Sequence, residues 1–592
     1  MDGWKGQLVR IDLTRGSSKI EPINEKVLKD YLGGRGLAVR IYTQEVDAEI
    51  DSLDINNKII IAAGGLCGTV TPCASIASMV TKSPVTNTIV CGKMQGYFGT
   101  ELKFCGFDAI IIEGKAEYPV VVFITDNTVS IRPALQYWGR TTGETQRLIK
   151  EELKDRWAAR ESFIACIGPA GEKGVNLATL VNDGYLVTGG VGIGKVLGAK
   201  NLKAIVVKGT QDVTVSNGEK CLQAIFTLKN KFNASPFTKE KLPKYGNAFL
   251  SDICSKKGVL PINNFKGIAK ELNGIDENNI ERTTHRRACF SCPIGCVRTV
   301  REKDREIVGL DYETVASFGY LCGVNDLNNI AELRFLCTEF GLDILNTASS
   351  IACAMELYEE GVLKDVELPF GSENIIALLK QIGKNKGFGK EIGKGGSILA
   401  NSLNKSYVFM GVKGNAIPPF DPRGLWGFGL HLATSNFGAY HLNGFTPMEE
   451  LFNIYEIVEP FSIEGKPVFV KKTQDMTASL DALGICIHAL FALKPNNIFP
   501  IFNFVFGYKI NIEEMLFIGE RIWNLERLFN LKAGLDQSDD SLPKRFVEEP
   551  LNGYTCPLEE MLPIYYEKRG WDEQGRPKQE TLERLDLKSA GH

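Results

Sequence analysis

The segment Cys289-Phe-Ser-Cys292-Pro-Ile-Gly-Cys296 places three cysteines within eight residues. Pro293 and Gly295 favour the tight turn that brings their thiols to one side. Three thiolates on one turn, joined by a fourth from elsewhere in the chain, form the ligand set of a four-iron cluster. Cys486, in the segment Asp481-Ala-Leu-Gly-Ile-Cys486, is a candidate for that fourth position. The triplet therefore predicts a [4Fe-4S] cluster and a protein that transfers electrons.

Two alternatives stay open for the triplet. Zinc also takes four tetrahedral thiolates, but its sites usually pair two C-x2-4-C knuckles, or one knuckle with an H-x3-5-H pair. Neither second half is present, since no such histidine pair follows His285. Free cysteines are also often small core residues. Any of the 15 cysteines could supply the fourth ligand, so the residues alone do not decide it.

The composition is that of an ordinary globular protein. The 592 residues are 44% hydrophobic and 23% charged, which suits about three or four domains. A net charge of −3 argues against nucleic-acid binding by bulk charge. The apolar stretch 498–507 is short and broken by Pro500 and Asn503, so no membrane insertion is expected. Without the apolar core of a signal peptide at the start, the many cysteines indicate a reducing cytoplasm.

The first part of the chain is rich in predicted strands. Apolar runs at 58–63, 109–113, 163–167 and 204–207 indicate buried strands, and Asp126-Asn127 indicates a hairpin between strands at 120–125 and 128–133. Glycine clusters at 33–36, 64–65 and 189–194 separate such runs. The last cluster resembles a dinucleotide-binding loop, but no βαβ unit with a following acidic residue supports that function. These loops are predicted to be cofactor cradles or structural turns.

From about residue 210 the hydrophobic period becomes helical. It is clear at 330–340, at 351–357 before Gly361, and at 516–529 before Gly534. Pro418-Pro419 and Pro422 mark a further boundary. The sequence thus predicts an α+β protein of three domains. These are a β-rich domain at 1–208, a helical domain with the cysteine triplet at 209–412, and a helical domain with Cys486 at 413–592.

Motifs along nearly the whole chain carry a family resemblance. The first domain has Tyr31-Leu-Gly-Gly-Arg35-Gly-Leu37, Thr81-Lys-Ser-Pro84, Gly96-Tyr-Phe-Gly99 and Ile167-Gly-Pro-Ala-Gly-Glu172. The remainder has Leu242-Pro-Lys-Tyr-Gly246, the cysteine triplet, Phe420-Asp-Pro-Arg-Gly424, Glu520-Arg-Ile-Trp-Asn524 and Arg569-Gly-Trp571. With these motifs the chain resembles the tungsten-containing aldehyde ferredoxin oxidoreductases.

The resemblance implies a first domain of two β-sheets that form a base for a cofactor, closed over by two helical domains. The cofactor is tungsten (or molybdenum) held by two pterins, which Mg²⁺ can accompany, beside a [4Fe-4S] cluster. The implied reaction oxidises an aldehyde to a carboxylic acid. Electrons leave through the cluster to ferredoxin or to a dedicated iron–sulfur subunit.

The resemblance also assigns individual residues. The cluster ligands correspond to Cys289, Cys292, Cys296 and Cys486. The acid/base pair corresponds to Glu313 and His441, because a Glu can take a proton from attacking water and a His can donate one to the oxyanion. Carboxylates recognise pterin amino groups and glycine-rich amides receive phosphates. The expected cofactor contacts are Lys93, Gly96, Gly192, Gly194, Leu342, Asp343, Asp481 and Ile485.

Five cofactor-facing positions depart from the family pattern. They are Ile76 in place of Arg, Lys93 in place of Asn, Gly190 in place of Arg, Thr338 in place of Asp and Asn443 in place of Lys. Each charge-assisted hydrogen bond contributes about 1.5–3 kcal/mol, so these losses together could abolish ordinary pterin binding. Lys93 could restore one charge. The alternative function is an electron-transfer or structural subunit of a larger redox complex, without a working pterin site.

The iron that bridges subunits in parts of the family is not expected here. Its Glu-x-x-His pattern is Glu332-Leu-Arg-Phe335, and the second expected histidine is Ile376. Neither replacement can bind iron. A homodimer formed through helices, or a larger redox complex, stays compatible with the sequence.

Overall fold

Two six-stranded mixed sheets dominate the first 208 residues of the computed structural model, which describes residues 1–153, 155–184, 186–272, 285–302, 305–455 and 457–588. The first sheet has the order β2-β1-β6-β3-β4-β5 and the second has the order β11-β10-β9-β12-β7-β8. Their strands are β1 Gln7–Asp12, β2 Ser17–Pro22, β3 Ile59–Ala63, β4 Ala77–Lys82, β5 Ile89–Met94, β6 Ala109–Glu113, β7 Val120–Thr125, β8 Thr128–Pro133, β9 Phe163–Ile167, β10 Leu180–Asn182, β11 Leu186–Val187 and β12 Leu202–Lys208. The predicted strands and the hairpin at Asp126-Asn127 are confirmed.

The continuous apolar runs arise because both faces of these strands are buried. In β3, Ile59 and Ile61 face the core between the two sheets, whereas Ile60 and Ala62 pack toward the helices. In β7, Val122 packs between the sheets and Val121 belongs to a small outer core under the helix Thr142–Glu152. The molecule is therefore layered, with the helical part on the first sheet and a thin helical cover on the second.

Helices dominate the described chain after residue 209, as the period predicted. The first part has helices Glu25–Tyr31, Gly34–Glu45, Phe98–Phe104, Thr142–Glu152, Arg156–Glu161, Pro169–Glu172 and Ile193–Ala199. Then come Gly218–Ala234, Leu242–Tyr245, Leu250–Lys256, Tyr312–Thr314, Leu327–Phe340, Ile344–Glu359, Ile375–Lys384, Gly387–Ile392 and Gly396–Ser402. The last are Trp426–Thr434, Pro447–Phe452, Lys466–Leu483, Phe499–Phe506, Ile512–Lys532, Lys544–Val547, Leu558–Arg569 and Gln579–Arg584. Among the described residues, no helix is both long and apolar enough to cross a membrane.

A small antiparallel sheet interrupts the region that was predicted to be helical. It consists of β15 His285–Arg287, β16 Val297–Glu302 and β17 Arg305–Val308, preceded by the two-residue pair β13 Pro261–Ile262 and β14 Gly267–Ile268. A further pair is β18 Gly411–Val412 and β19 Asn415–Ala416. These strands are too short or too polar to give a recognisable apolar run. The cysteine triplet lies in the loop between β15 and β16.

The end of the helix Lys466–Leu483 is attached to the first sheet by main-chain hydrogen bonds. The amides of Gly65 and Leu66 donate to the carbonyls of Ala482 and Leu483, each at 3.0 Å. The amide of Ile76 donates to Gly484 at 3.1 Å, and that of Cys486 donates to Cys73 at 2.9 Å. These bonds fix the position of Cys486 relative to the first domain.

Glycines allow this close approach. A Cβ atom at Gly64 would overlap Cα of Gly484, and one at Gly34 would overlap the carbonyl oxygen of Asp481. Side chains at these positions would push the helix end away from the sheet. The clusters at 33–36 and 64–65 are therefore structural close contacts.

The same junction buries Arg35, which follows Gly34. Its Nε and Nη2 donate to the two carboxylate oxygens of Glu526 at 2.7 and 2.8 Å, and its Nη1 lies 3.3 Å from Asp481 Oδ2. Burial alone would lower the pKa of Arg35, but Glu526 and Asp481 raise it, so the guanidinium stays charged. Removal of one partner from such a buried pair is strongly destabilising.

We predict that Gly64→Ala destabilises the protein by about 1–3 kcal/mol, since it overpacks this junction. Gly64 has an ordinary backbone conformation, so the effect would be steric. Gly218→Ala is the matched control, because a Cβ there meets only Val215 Cγ2 at 3.9 Å. Differential scanning calorimetry should show a lower Tm for the first variant and an unchanged or slightly raised Tm for the second. Equal Tm values for wild type and Gly64→Ala would contradict the close contact.

Candidate functional site

A cavity of about 210 Å³ lies where the first sheet meets the helical part of the chain. Its wall combines residues from all three predicted domains, among them Ile76, Lys93, Glu313, Arg334, Asp343, Tyr440, His441 and Cys486. The wall is unusually rich in ionisable side chains for a buried space. Such a concave space with convergent polar groups is the expected form of a ligand site.

The cysteine triplet lies at one side of this cavity, together with Cys486. The triplet loop is held to the first domain, since the amide of Phe290 donates to the carbonyl of Gly96 at 3.2 Å. Burial and then the neighbouring thiolates raise the pKa values of Cys289 and Cys296. Burial, and then the neighbouring Cys292, raises that of Cys486 to about 12. These mutual effects place the four thiols within electrostatic reach of one another, across the junction between the helical parts.

A fifth thiol, which the sequence did not single out, lies beside this group. Cys73 Sγ is 3.7 Å from Cys292 Sγ, and its carbonyl accepts the amide of Cys486. Among the described residues, no group of three His, Cys, Asp or Glu side chains converges closely enough to hold a single metal ion. A four-iron cluster needs a wider set of thiols than one ion does.

Glu313 and His441 lie next to each other in the cavity wall. His441 Nε2 is 3.4 Å from Glu313 Oε1, and Asn247 Nδ2 donates to Glu313 Oε2 at 3.0 Å. Burial would raise the pKa of Glu313, but His441 outweighs it and holds this pKa at about 2. Among the described residues, neither ring nitrogen of His441 has an aligned hydrogen bond, so the ring can still bind a ligand.

Both residues also line a second, smaller pocket of about 20 Å³. Its wall is mainly aromatic and aliphatic, with Leu242, Phe249, Leu250, Phe420, Phe445 and Phe491. Glu313 and His441 therefore stand at the boundary between a charged cavity and an apolar pocket. This arrangement can hold an apolar group on one side and exchange protons with a polar group on the other.

Lys93 lines the cavity and forms a short ion pair with Asp481, which is not among the described residues of the cavity wall. Lys93 Nζ lies 2.6 Å from Asp481 Oδ1 and also donates to the carbonyl of Leu442 at 2.6 Å. The second oxygen of Asp481 faces Arg35. The carboxylate expected to contact a pterin thus already has two cationic partners from the protein.

Asp343 lines the cavity from the opposite side. Its Oδ1 accepts the backbone amide and the side-chain amide of Asn346, each at 2.9 Å, and so caps the helix Ile344–Glu359. Its own amide donates to Leu177 at 2.9 Å. Leu342 forms an isolated β-bridge with Ala178, and Ile485 forms one with Ala74. These bridges hold the segments that carry Asp343 and Asp481 to the first domain. Neither Leu342 nor Ile485 is among the described residues that line the cavity.

Three glycines predicted to contact the cofactor lie away from the described cavity wall. A Cβ at Gly96 would overlap Asp183, one at Gly192 would lie 2.7 Å from Pro84 Cδ, and one at Gly194 would lie 2.6 Å from the amide nitrogen of Thr179. Protein atoms therefore account for the absence of side chains at these positions. In the loop at 189–194, Gly192 and Gly194 are therefore structural close contacts, whereas Gly189 lines the cavity.

Arg334 and His488 also line the cavity, and the sequence analysis missed both. Arg334 lies one helical turn before Thr338, so helical spacing could have placed the two on one face. His488 Nδ1 lies 3.4 Å from Cys296 Sγ, and the proximity to Cys486 in sequence was the available signal. Ile76 leaves its place on the wall without a charge, whereas Arg334 supplies one; Thr338 is not among the described lining residues.

Two family models together match most of the chain. Residues 8–209 match the family model "Aldehyde ferredoxin oxidoreductase, N-terminal domain", and residues 223–587 match "Aldehyde ferredoxin oxidoreductase, domains 2 & 3". The chain is 40% identical over 606 residues to the tungsten-containing aldehyde ferredoxin oxidoreductase of Pyrococcus furiosus, covering 99% of each chain. It belongs to the aldehyde ferredoxin oxidoreductase family.

The family resemblance, the fold class and the assignment to an oxidoreductase family are thereby confirmed. A 39% identical relative is the tungsten-containing aldehyde ferredoxin oxidoreductase of Thermococcus kodakarensis, again over 99% of each chain. A more distant one, 29% identical over 100% of this chain and 98% of the relative, is the "Aliphatic sulfonate oxidoreductase, WOR-like subunit" of Pyrococcus furiosus.

A solved structure shares the fold of this family member. It is the active site complex BamBC of benzoyl coenzyme A reductase, with a TM-score of 0.87 and 24% identity over 100% of this chain and 98% of that one. At this identity the likeness concerns the fold alone.

The low pKa of Glu313 predicts a pH-dependent contribution to stability. A carboxylate whose pKa is depressed from 4.5 to about 2 on folding stabilises the native state above pH 4.5, and the effect is lost as the pH falls toward 2. The Tm difference between wild type and Glu313→Gln should therefore shrink as the pH is lowered from 6 toward 3. Glu332→Gln, which changes a half-exposed glutamate, should show a nearly constant difference. A constant difference for Glu313→Gln as well would contradict the low pKa of Glu313.

Proposed function

We propose that this family member oxidises an aldehyde to a carboxylic acid in the cavity, with Glu313 and His441 as its acid/base pair. The observation that supports this most directly is their position, 3.4 Å apart, between the charged cavity and the aromatic pocket. The aromatic pocket suits the apolar group of an aldehyde. The charged cavity suits a polar cofactor.

The residues present fit the cofactor that the tungsten-containing relatives name. Four thiols from two parts of the chain suit a [4Fe-4S] cluster, with Cys289, Cys292, Cys296 and Cys486 as its ligands. Within the part of the chain that the structure describes, both ring nitrogens of His441 and Nε and Nη1 of Arg334 are buried beside the cavity without hydrogen-bond partners, as groups that await a ligand would be. Asp343 and Lys93 line the cavity, where they would meet pterin edges. When bound, a tungsten–pterin centre supplies a two-electron acceptor, and the cluster passes these electrons on singly.

The protein's own residues would handle the protons. Ionised Glu313 accepts a proton from water as the water oxygen forms its bond to the carbonyl carbon. His441 donates a hydrogen bond to the carbonyl oxygen as negative charge develops there. Asn247 holds the Glu313 carboxylate in place through its 3.0 Å hydrogen bond. In total, aldehyde and water give carboxylic acid, two protons and two electrons.

The exit for electrons would be the triplet loop. His285, Arg286, Arg287, Ser291 and Pro293 are exposed around the cysteines, so a redox partner can approach this edge. A ferredoxin or a dedicated iron–sulfur subunit would serve as that partner. Two electrons leaving one at a time require an acceptor of this one-electron kind.

A second candidate function is an electron-transfer subunit that does not bind pterin. The Lys93–Asp481 pair favours it, because it already neutralises a carboxylate that a pterin would use. Metal analysis of protein from a tungsten-replete host separates the two. Stoichiometric tungsten with four irons per chain supports the enzyme. Four irons without tungsten or molybdenum supports the electron-transfer subunit.

We predict that Glu313→Gln lowers kcat for aldehyde oxidation by at least about 100-fold, since general-base catalysis contributes about 10²–10⁴-fold. Glutamine keeps the shape and the contact with Asn247 but cannot accept the proton. Dye reduction by the purified protein in the presence of an aldehyde measures this, with Glu332→Gln as the control. Turnover within a few-fold of wild type would remove Glu313 from the mechanism.

The fourth cluster ligand can be tested by comparing two neighbouring thiols. Cys486→Ser should lower the iron content or convert the four-iron signal, whereas Cys73→Ser should keep four irons. Both thiols are buried near Cys292, so the two variants are matched in position. Iron analysis and electron paramagnetic resonance of the reduced proteins give the answer. The reverse result would make Cys73 the ligand.

A further inference from the structure

We propose that Arg334 binds an oxyanion inside the large cavity, either the phosphate of the pterin cofactor or a carboxylate of the substrate. The proposal rests on the function proposed above for the same cavity. It adds an anion-binding residue in the middle part of the chain. Arg334 is not one of the five positions that depart from the family pattern.

The geometry of Arg334 carries this inference. Its side chain is 4% exposed and lines the cavity from the helix Leu327–Phe340. Among the described residues, Nε and Nη1 are buried and have no hydrogen-bond partner. Nη2 lies 3.3 Å from Asp311 Oδ2. Buried donors of a charged group are rarely left unsatisfied, so these two nitrogens indicate a ligand acceptor.

The charge and the open donors of Arg334 favour an oxyanion over a neutral acceptor. Three carboxylates, those of Asp311, Glu313 and Asp343, line the same cavity. Asp311 Oδ2 lies 3.3 Å from Nη2 and the charge of Arg334 also acts on Asp343, but among the described residues no carboxylate accepts a hydrogen bond from Nε or Nη1. A planar guanidinium with free N–H groups matches the oxygens of phosphate or carboxylate.

The sequence context is consistent with such a role. Thr338, one turn further along the same helix, carries no charge that would compete for the guanidinium. Its hydroxyl donates to the carbonyl of Arg334 at 3.2 Å.

The test compares Arg334→Leu and Arg334→Lys with wild type, using full-length protein. Elemental analysis gives iron, tungsten, molybdenum and phosphorus per chain. If the anion is the cofactor's phosphate, Arg334→Leu keeps its iron, but its phosphorus and tungsten contents per chain fall about ten-fold or more. The contents of Arg334→Lys lie between those of Arg334→Leu and wild type. Retained iron shows that the variant folds. Glu332→Gln, two residues earlier on the half-exposed side of the same helix, is the control.

If the anion belongs to the substrate, metal and phosphorus stay at wild-type levels in Arg334→Leu. In that case kcat/KM for succinic semialdehyde falls about ten-fold or more, while kcat/KM for butanal changes little. Either result supports the proposal. Unchanged composition together with unchanged kcat/KM for both aldehydes overturns it and leaves a water-filled cleft beside Arg334.

The anion site can also be tested if the protein proves not to bind a pterin cofactor. If wild-type protein contains iron but neither tungsten, molybdenum nor pterin phosphorus, calorimetric titration with orthophosphate tests Arg334 directly. Binding by wild type that is lost in Arg334→Leu supports the anion site. No detectable binding by wild type overturns it.

Discussion

The contact between glycines on the first sheet and the end of the helix Lys466–Leu483 is the constraint on which the site depends. Gly64 and Gly484 approach so closely that no side chain fits between them. That approach permits the main-chain hydrogen bonds that hold Gly484 and Cys486, and it buries Arg35 against Glu526 and Asp481. A protein that lost this contact would keep its sheets and helices, but its thiols and carboxylates would no longer converge.

The site is built from charges that the fold compensates in different ways. Asp481 is neutralised by two cations, and Glu313 is kept ionised by His441. Asp343 is stabilised by the helix that it caps. Arg334 differs from these three because, among the described residues, its Nε and Nη1 have no hydrogen-bond partner. The electrostatic balance of the cavity is thus nearly complete on the sheet side and incomplete on the side of the middle helices.

Sequence reasoning predicted the elements whose signal is local. The apolar runs of β3 and β7 and the helices before Gly361 and Gly534 were predictable because burial and period are visible within a few residues. The family motifs predicted which distant residues meet, as with Cys486. The sheet around the triplet was missed because its strands are short and polar. Cys73 and Arg334 were missed because their importance arises only from neighbours far away in sequence.

The segments that carry Asp343 and Asp481 are held in place by main-chain hydrogen bonds, and this affects which residues can be substituted within the fold. Asp343 and the segment from Asp481 to Cys486 are each tied to a sheet domain through backbone amides and carbonyls, which every residue type other than proline provides. The architecture of the site is therefore largely independent of the side chains that project into it. Substitutions in the wall, for example at Ile76, can accumulate without loss of these main-chain bonds. The positions most free to change are thus the side chains of the cavity wall. Their substitution can alter which ligand binds while the fold stays the same.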